Sequence, residues 1–320
     1  MPNRRIILDT DIAMGAPGSD IDDGFALALA IDLSDQSLEL VTTVNGNIDV
    51  DTSTVLALNL LDRLGRPEIP VVRGARTPLR RPVHEHPARD RVAGVRAELA
   101  GRAPAPGRAP TAIMEHVLAC PGEITIVAIG PLTNVAIALA LEPAVATAVK
   151  EIIVMGGAFM RTTSLLSMPG EFNIWVDPEA ASIVLGSGAP LRFIGLDVTL
   201  QVALGRADAD RLIATGRPFA EYAGRCAHGW IDYLREAYPG QEFLTAPMHD
   251  PLAVAVASRP HLVTWRPARV EVEVCSDITR GVTVADLLAS RHPPEPNCLV
   301  ATDVDSPAFI DFFLNHVYSL

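Results

Sequence analysis

Apolar positions along the chain come in two alternating rhythms. Short β-rich runs predict strands at Ile6 to Leu8, Leu38 to Val44, Ile69 to Val72, Ile124 to Ile129, Ile152 to Met155 and Leu191 to Ile194. Between them, longer helical patterns predict helices at Asp22 to Leu33, Asp51 to about Leu64, Leu132 to Leu141 and Pro178 to Leu185. Ser19 or Asp20 stands ready as N-cap of the first. Nearly continuous apolar strands separated by helices belong to a mostly parallel sheet covered on both faces. The predicted fold is therefore an open, doubly wound α/β sheet of Rossmann-like kind, occupying residues 1–320 as a single domain.

The last third is less regular. Helical patterns at Asp208 to Thr215 and Phe219 to Ala237 precede Pro247-Met-His-Asp-Pro251, and another helix is expected from Pro251 to Ala257. Val270-Glu-Val-Glu-Val-Cys275 alternates with period two, which predicts an antiparallel strand at a sheet edge, with Val282 to Ala285 as its hairpin partner. Pro307 to Val317 reads as a closing helix. One segment, Arg73 to Pro110, fits neither rhythm: it carries nine arginines against Glu85, Asp90 and Glu98, with many prolines. A long irregular stretch of this kind is a solvated loop or a lid, and as a lid it would attract an anionic substrate group.

Composition narrows the partners. The 26 basic and 38 acidic residues leave a net charge of −12, a poor match for nucleic-acid polymers or anionic membranes. No apolar run reaches the roughly 18 residues that span a bilayer, and an acid follows Ile6-Ile7-Leu8 too soon for a secretory signal. Cys120, Cys226, Cys275 and Cys298 are scattered, as reduced thiols of a cytoplasmic protein would be.

The chemistry concentrates at strand ends. Asp9 and Asp11 close the first strand; Asp20, Asp22 and Asp23 open the following helix. In open α/β sheets ligands bind outside the carboxyl ends of the strands, so these acids are expected to crowd one crevice. N-capping and the helix dipole explain one or two of them. The remainder would repel one another unless a cation intervened. Oxygen ligands without His or Cys select a hard cation, and flexible coordination by several carboxylates suits Ca²⁺ better than Mg²⁺. Further polar groups stand at Thr43-Val-Asn-Gly-Asn47, at Glu171-Phe-Asn-Ile-Trp-Val-Asp177 and at His249-Asp250. Together they form a set suited to a polyhydroxylated sugar beside a metal.

With these residues in place the chain resembles the nucleoside hydrolase family of the inosine–uridine-preferring type. The likeness rests on Ile7-Leu-Asp-Thr-Asp11 with Asp22-Asp23, on Thr42 to Asn47 and on Ile129-Gly-Pro-Leu-Thr-Asn-Val135. It continues through Val154-Met-Gly-Gly157, Glu171 to Ala181, Gly195-Leu-Asp-Val-Thr199 and His249-Asp-Pro251, in order, from about residue 5 to 315. The resemblance implies Ca²⁺-dependent hydrolysis of the N-glycosidic bond of a ribonucleoside, giving ribose and free base in purine or pyrimidine salvage. Asp11, Asp23, Asp250 and the Ile129 carbonyl would hold the metal. Asp11 would also deprotonate the attacking water, and His249 would protonate the departing base. Asp22, Asn47, Glu171 and Asn173 would grip the ribose, with Met155 beneath it. A homodimer or homotetramer is implied as well.

This chain departs from the family pattern in three places. Ala13 to Gly18 is an insertion between Asp11 and Asp22, long enough to reach over the metal. The asparagine that usually precedes the Glu-Phe-Asn motif is replaced by a loop containing Ser164 and Ser167. The usual His-Gly-X-X-Gly near the base becomes His84-Glu-His-Pro-Ala-Arg, so base preference does not transfer. Trp230, Tyr233, Tyr238 and Phe243 are aromatic side chains able to stack on a base, or else to serve core or interface packing. Two other readings stay open: a catalytically silent riboside-binding homologue, and a Mg²⁺-dependent haloacid-dehalogenase-like phosphatase using Asp9-Thr-Asp11. Against the phosphatase, Ala13 stands where a hydroxyl residue is usual, and Lys150 is the sole lysine.

Overall fold

The computed structural model describes residues 4–81, 101–160, 167–239, 244–288 and 290–320. The His84 motif, Ser164, Phe243 and the middle of the arginine-rich segment lie outside the described residues.

The strands are β1 (Arg4–Thr10), β2 (Gln36–Thr43), β3 (Val71–Arg73), β4 (Ile124–Ala128), β5 (Glu151–Met155), β6 (Leu191–Ile194), β7 (Ala203–Gly205), β8 (Thr245–Pro247), β9 (Val263–Ala268), β10 (Val270–Val272), β11 (Thr283–Ala285) and β12 (Cys298–Val304). Eight of them form the central sheet in the order β3-β2-β1-β4-β5-β6-β12-β9. All neighbours run parallel except β9, which pairs antiparallel with β12 at the edge. The order reverses between β1 and β4, the switch point at which a doubly wound sheet opens a crevice.

Helices follow as α1 (Asp22–Asp32), α2 (Val50–Arg63), α3 (Ala109–Ala119), α4 (Thr133–Leu141), α5 (Ala144–Ala148), α6 (Phe172–Val176), α7 (Pro178–Leu185), α8 (Leu196–Thr199), α9 (Arg206–Ala214), α10 (Pro218–Ala237), α11 (His249–Ser258) and α12 (Ser306–Val317). Because side chains alternate across a strand, each strand feeds two cores. Ile6, Leu8, Val127 and Ile153 face the side covered by α1, α11 and α12. Ile7, Ile126, Ile152 and Val154 face the side covered by α3, α4 and α7. Helix α1 is buried from Asp22 to Ala30, as its nearly all-round apolar composition demands.

The doubly wound expectation holds, with local corrections. Val270–Val272 and Thr283–Ala285 do pair antiparallel, but as a separate ribbon and not at the edge of the central sheet. That edge is taken by β9, whose Pro267 and Arg266 disguise it as a loop; proline is tolerated there because an edge strand leaves one row of N–H groups unpaired. The ribbon is instead tied to α7 by Arg280, whose guanidinium pairs with Glu179 and donates to the Val274 carbonyl at 2.8 Å. Where the irregular segment is described, Ala105 bridges to Val72 and Ala109 already begins α3.

An aromatic stack fastens the closing helix. Phe313 of α12 meets Phe25 of α1 edge-on at 5.5 Å and stacks on Phe309 at 5.7 Å, all three rings fully buried. Phe313→Ala is expected to lower the unfolding free energy by about 3–5 kcal/mol, measured by urea denaturation. A much smaller loss would mean that α12 is held by other contacts.

Candidate active site

Asp11 follows β1, Ile129 follows β4 and Met155 ends β5, so three neighbouring strands deliver them to the switch point. Helices α1 and α11 pack against each other, and their amino ends meet there: the Asp250 N–H donates to Asp22 Oδ2 at 3.1 Å. Carboxylate oxygens of Asp22, Asp23 and Asp250 all lie within 4.8 Å of one another. Two helix amino termini favour negative charge at this point, but three acids exceed what they neutralise.

Asp11 adjoins this trio. Its Oδ2 accepts the Asn47 N–H at 2.6 Å, while its buried Oδ1 has no hydrogen-bond partner. Space for this carboxylate depends on two glycines: a Cβ on Gly46 would stand 1.9 Å from Asp11 Oδ2, and one on Gly130 would stand 2.8 Å from Oδ1. Asp23 receives hydrogen bonds from the Thr10 hydroxyl and, at 3.1 Å, from Asn47 Nδ2. Burial, with repulsion from Asp22 and Asp20, pushes Asp11 up to about 8. Asp22, Asp23 and Asp250 stand well above the ordinary carboxylate range for the same reasons, burial first and the neighbouring acids second. A lone-pair oxygen aimed at nothing, amid crowded acids and no imidazole or thiolate in the trio, fits a hard divalent cation.

Asp9 is not part of this cluster. Its Oδ1 accepts from the Thr42 hydroxyl and from Asn134 Nδ2, at 2.5 and 2.8 Å, and burial lifts it to about 7. It ties β1 to β2 and α4. The expected five acids in one crevice thus become four with Asp20 at the rim, because strand alternation sends Asp9 away from Asp23 and its partner Thr10.

Beside the acids lies a cavity of about 500 Å³, lined by Asp22, Asn47, Ile129, Met155, Glu171, Asn173, His249 and Asp250. Glu171 caps α6, its carboxylate accepting N–H groups of Gly157, Asn173 and Ile174 at 2.9 to 3.1 Å. Burial nevertheless raises its pKa. Asn173 Nδ2 donates to the Ile129 and Met155 carbonyls at 3.0 and 3.2 Å, leaving each carbonyl a second lone pair. His249 Nδ1 lies 2.7 Å from the Thr199 hydroxyl, and burial lowers its pKa to about 4, so the ring is neutral at physiological pH. The residues that the resemblance assigned to metal, ribose and base therefore meet in one region: Asp22, Asn47, Ile129, Met155, Glu171, Asn173, His249 and Asp250 line the cavity, and Asp11 and Asp23 adjoin it.

Part of the lining is aromatic. Trp230 and Tyr233 stack at 5.4 Å, and Tyr238, Phe172 and Trp175 join them in the lining. The sequence offers the first two and Tyr238 for base stacking, with core or interface packing as the default; all three line the cavity, and Trp230 packs against the main core as well. Phe172, Trp175, Ser19 and Leu196 were missed as wall residues, although the one-turn spacing of Phe172 and Trp175 in the Glu171 motif is a usable signal. Ser167 also lines the cavity. The Ala13–Gly18 insertion does not cover it. Ala13 and Ala16 pack on Ile48 and Leu56, Met14 enters the main core, and only Gly18, Ser19 and Asp20 reach the rim. No arginine lines the cavity among the described residues: Arg73 and Arg76 pair with Asp51, Arg81 with Asp277 and Arg102 with Asp62.

Residues 6–311 match the family model described as inosine-uridine preferring nucleoside hydrolase. The chain belongs to that family. A probable uridine nucleosidase 2 of Arabidopsis thaliana is 33% identical over 98% of this chain and 97% of its own length. A pyrimidine-specific ribonucleoside hydrolase, RihA, of Salmonella gallinarum is 35% identical over 96% of both. Among solved structures, the plant nucleoside hydrolase PpNRh1 superposes with a TM-score of 0.89 at 33% identity, covering 100% of both chains. A purine-preferring ribonucleoside hydrolase from Gardnerella vaginalis reaches 0.84 at 28% identity, covering 99% of this chain and 98% of its own. As a nucleoside hydrolase this protein is an N-ribohydrolase, and the dehalogenase-like reading falls. The first Asp of that motif would have to face the substrate, whereas Asp9 is fully buried, outside the cavity lining, with its Oδ1 held by Thr42 and Asn134.

The raised carboxylate values carry a sign. A carboxyl group whose folded pKa exceeds its unfolded one binds protons more tightly when folded, so its contribution is present at low pH and lost as pH rises through the folded value. For Asp11 that window runs from the ordinary 3.8 to about 8. A divalent cation replaces those protons. The rise in melting temperature on adding Ca²⁺ to EDTA-treated protein is therefore expected to grow with pH across this window, and protons are released on binding at neutral pH. A calcium increment independent of pH would contradict this electrostatic picture.

Proposed function

We propose that the chain is a Ca²⁺-dependent N-ribohydrolase that cleaves the glycosidic bond of ribonucleosides, or related N-ribosides, to ribose and free base. One observation supports this above the rest: the Asp22, Asp23 and Asp250 oxygens converge beside the unpartnered Asp11 Oδ1, next to a cavity lined by both polar and aromatic side chains. Asp11, Asp23, Asp250 and the Ile129 carbonyl would hold the cation. Bound there, Ca²⁺ supplies Lewis acidity that lowers the pKa of water and aligns the ribose 2′- and 3′-hydroxyls.

The chain's own residues do the rest. Asp22, Asn47, Glu171 and Asn173 bind the ribose hydroxyls, and Met155 packs beneath the ring. Asp11, fixed by the Asn47 N–H, takes a proton from the attacking water. As the bond to the base lengthens, positive charge gathers on the ribose, and the surrounding carboxylates stabilise it. Negative charge gathers on the base, which lies toward the Trp230–Tyr233 wall. His249 meets that charge as a hydrogen-bond donor: the uncharged ring keeps its N–H and stabilises the departing base, a contribution of about 10²–10³-fold for a well-placed donor.

Relatives carry uridine-, pyrimidine- and purine-directed names, so the reading is kept at ribonucleosides. A nucleoside-salvage role in the cytoplasm accords with four free cysteines and with no described helix long and apolar enough to cross a membrane. A homodimer or homotetramer is part of the same reading.

Purified protein incubated with Ca²⁺ and a panel of purine, pyrimidine and modified ribosides should release free ribose from at least one. Asp11→Ala should abolish that release and weaken calcium binding together. Binding of ribosides without ribose from any of them would favour the silent homologue. His249→Ala should slow natural nucleosides by about 10²-fold or more while sparing nitrophenyl riboside, whose leaving group needs no proton. Equal losses on both would remove His249 from the donor role.

A further inference from the structure

The short turn α8 leaves β6 between two parts of the site. Its Leu196 N–H donates to the Gly157 carbonyl at 2.9 Å, and its Asp197 carboxylate accepts the N–H groups of Phe159 and Met160 at 2.6 and 2.9 Å. The turn is thus fixed to the loop after β5, which also meets Glu171 through Gly157. Its last residue, Thr199, is fully buried, and its hydroxyl lies 2.7 Å from Nδ1 of His249.

A hydroxyl has one proton to give and must place it when buried. Among the described residues the only hydrogen-bond partner of Thr199 Oγ1 is His249 Nδ1. The Gly195 carbonyl, the usual acceptor one turn back, takes the backbone N–H groups of Val198 and Thr199. If Nδ1 carried a hydrogen, it would donate to Oγ1 and strand the threonine O–H without an acceptor. The arrangement is satisfied only when threonine donates and Nδ1 accepts.

We propose that Thr199 is a positioning residue for His249: its hydroxyl donates to Nδ1 and thereby keeps the hydrogen of the neutral ring on Nε2. The other ring nitrogen then enters the cavity as a donor, never as an acceptor. Such a donor selects leaving bases with a lone pair beside the glycosidic nitrogen, which pyrimidine O2 and purine N3 or N7 all supply. The catalytic consequence rests on the reading of His249 as hydrogen-bond donor to the departing base; the tautomer itself does not.

Two measurements separate these. Protein labelled with ¹⁵N-histidine, with the His249 signals assigned by their absence in His249→Gln, reports the tautomer in long-range ¹H–¹⁵N spectra. Wild type and Thr199→Ser should carry the hydrogen on Nε2, while Thr199→Val should populate Nδ1–H. A wild-type ring protonated on Nδ1, or a tautomer unchanged in Thr199→Val, overturns the proposal, and the wild-type spectrum alone suffices if the valine variant does not fold. In the kinetic arm, Thr199→Val should lose about tenfold or more in kcat on natural nucleosides with little change on nitrophenyl riboside, and Thr199→Ser should restore it. If the spectra behave as expected but both substrates lose equally, the tautomer stands and the donor role of His249 falls.

Discussion

Four aspartates drawn from three distant stretches of chain share a region from which water is largely excluded, and among the described residues no lysine or arginine answers them. Asp11, Asp22, Asp23 and Asp250 are each almost fully buried, a condition that strongly disfavours their charged forms. The rest of the site is arranged around this crowding. Gly46 and Gly130 leave room for one carboxylate, Thr10 and Asn47 donate to another, and two helix amino ends point at the group. The strand order brings this about: at the reversal between β1 and β4, a residue following β1 stands next to a backbone carbonyl following β4, and the helices after β1 and β8 close over both.

The same crowding decides which contacts are structural. Asp9 and Asp177 are as buried as the cluster, but Asp177 spends both oxygens on Thr133, Leu79 and Ala180, while Asp9 gives its Oδ1 to Thr42 and Asn134 and stands among no other carboxylates. Asp9 Oδ2 and Asp11 Oδ1 both lack a donor, and Asp11 differs in feeling the charges of Asp22 and Asp20. Neither burial nor one unanswered oxygen therefore marks a ligand; an unanswered oxygen amid other carboxylates does.

Much of this was legible in the chain because the signals were local. Apolar runs such as Ile124 to Ile129 and the DD pair opening α1 place strands and acids without any knowledge of the tertiary structure. What escaped depended on tertiary context. The β9 strand reads as loop until β12 lies beside it, since Pro267 and Arg266 are acceptable only at an edge. Asp9 and Asp11 look equivalent in sequence, and what separates them is that β1 ends at Thr10, before Asp11, while Thr42 and Asn134 reach Asp9. Thr199 carries no signal of its own; its meaning appears when α8 and the first turn of α11 come within 2.7 Å. The aromatic wall was ambiguous for the opposite reason, because α10 buries one face and lends Trp230 and Tyr233 to the cavity from another, and a helical stripe does not say which.

The insertion after Asp11 shows how a catalytic loop can lengthen without losing its geometry. The two fixed ends, Asp11 at the tip of β1 and Asp22 at the start of α1, are each held independently, by Asn47 and by the Asp250 N–H. Extra residues between them need only find burial of their own, and they do: Met14 joins the core, Ala13 and Ala16 settle on Ile48 and Leu56, and the Tyr222 ring of α10, covered by Arg63 at 4.4 Å, closes over the loop. The insertion therefore extends the packing between α2 and α10 and touches the cavity only where it rejoins α1. At that junction Ser19 presents a buried hydroxyl without a partner and Asp20 adds a carboxylate. Within this loop only Gly18, Ser19 and Asp20 line the cavity, so an effect of the added residues on a bound ligand would pass through them.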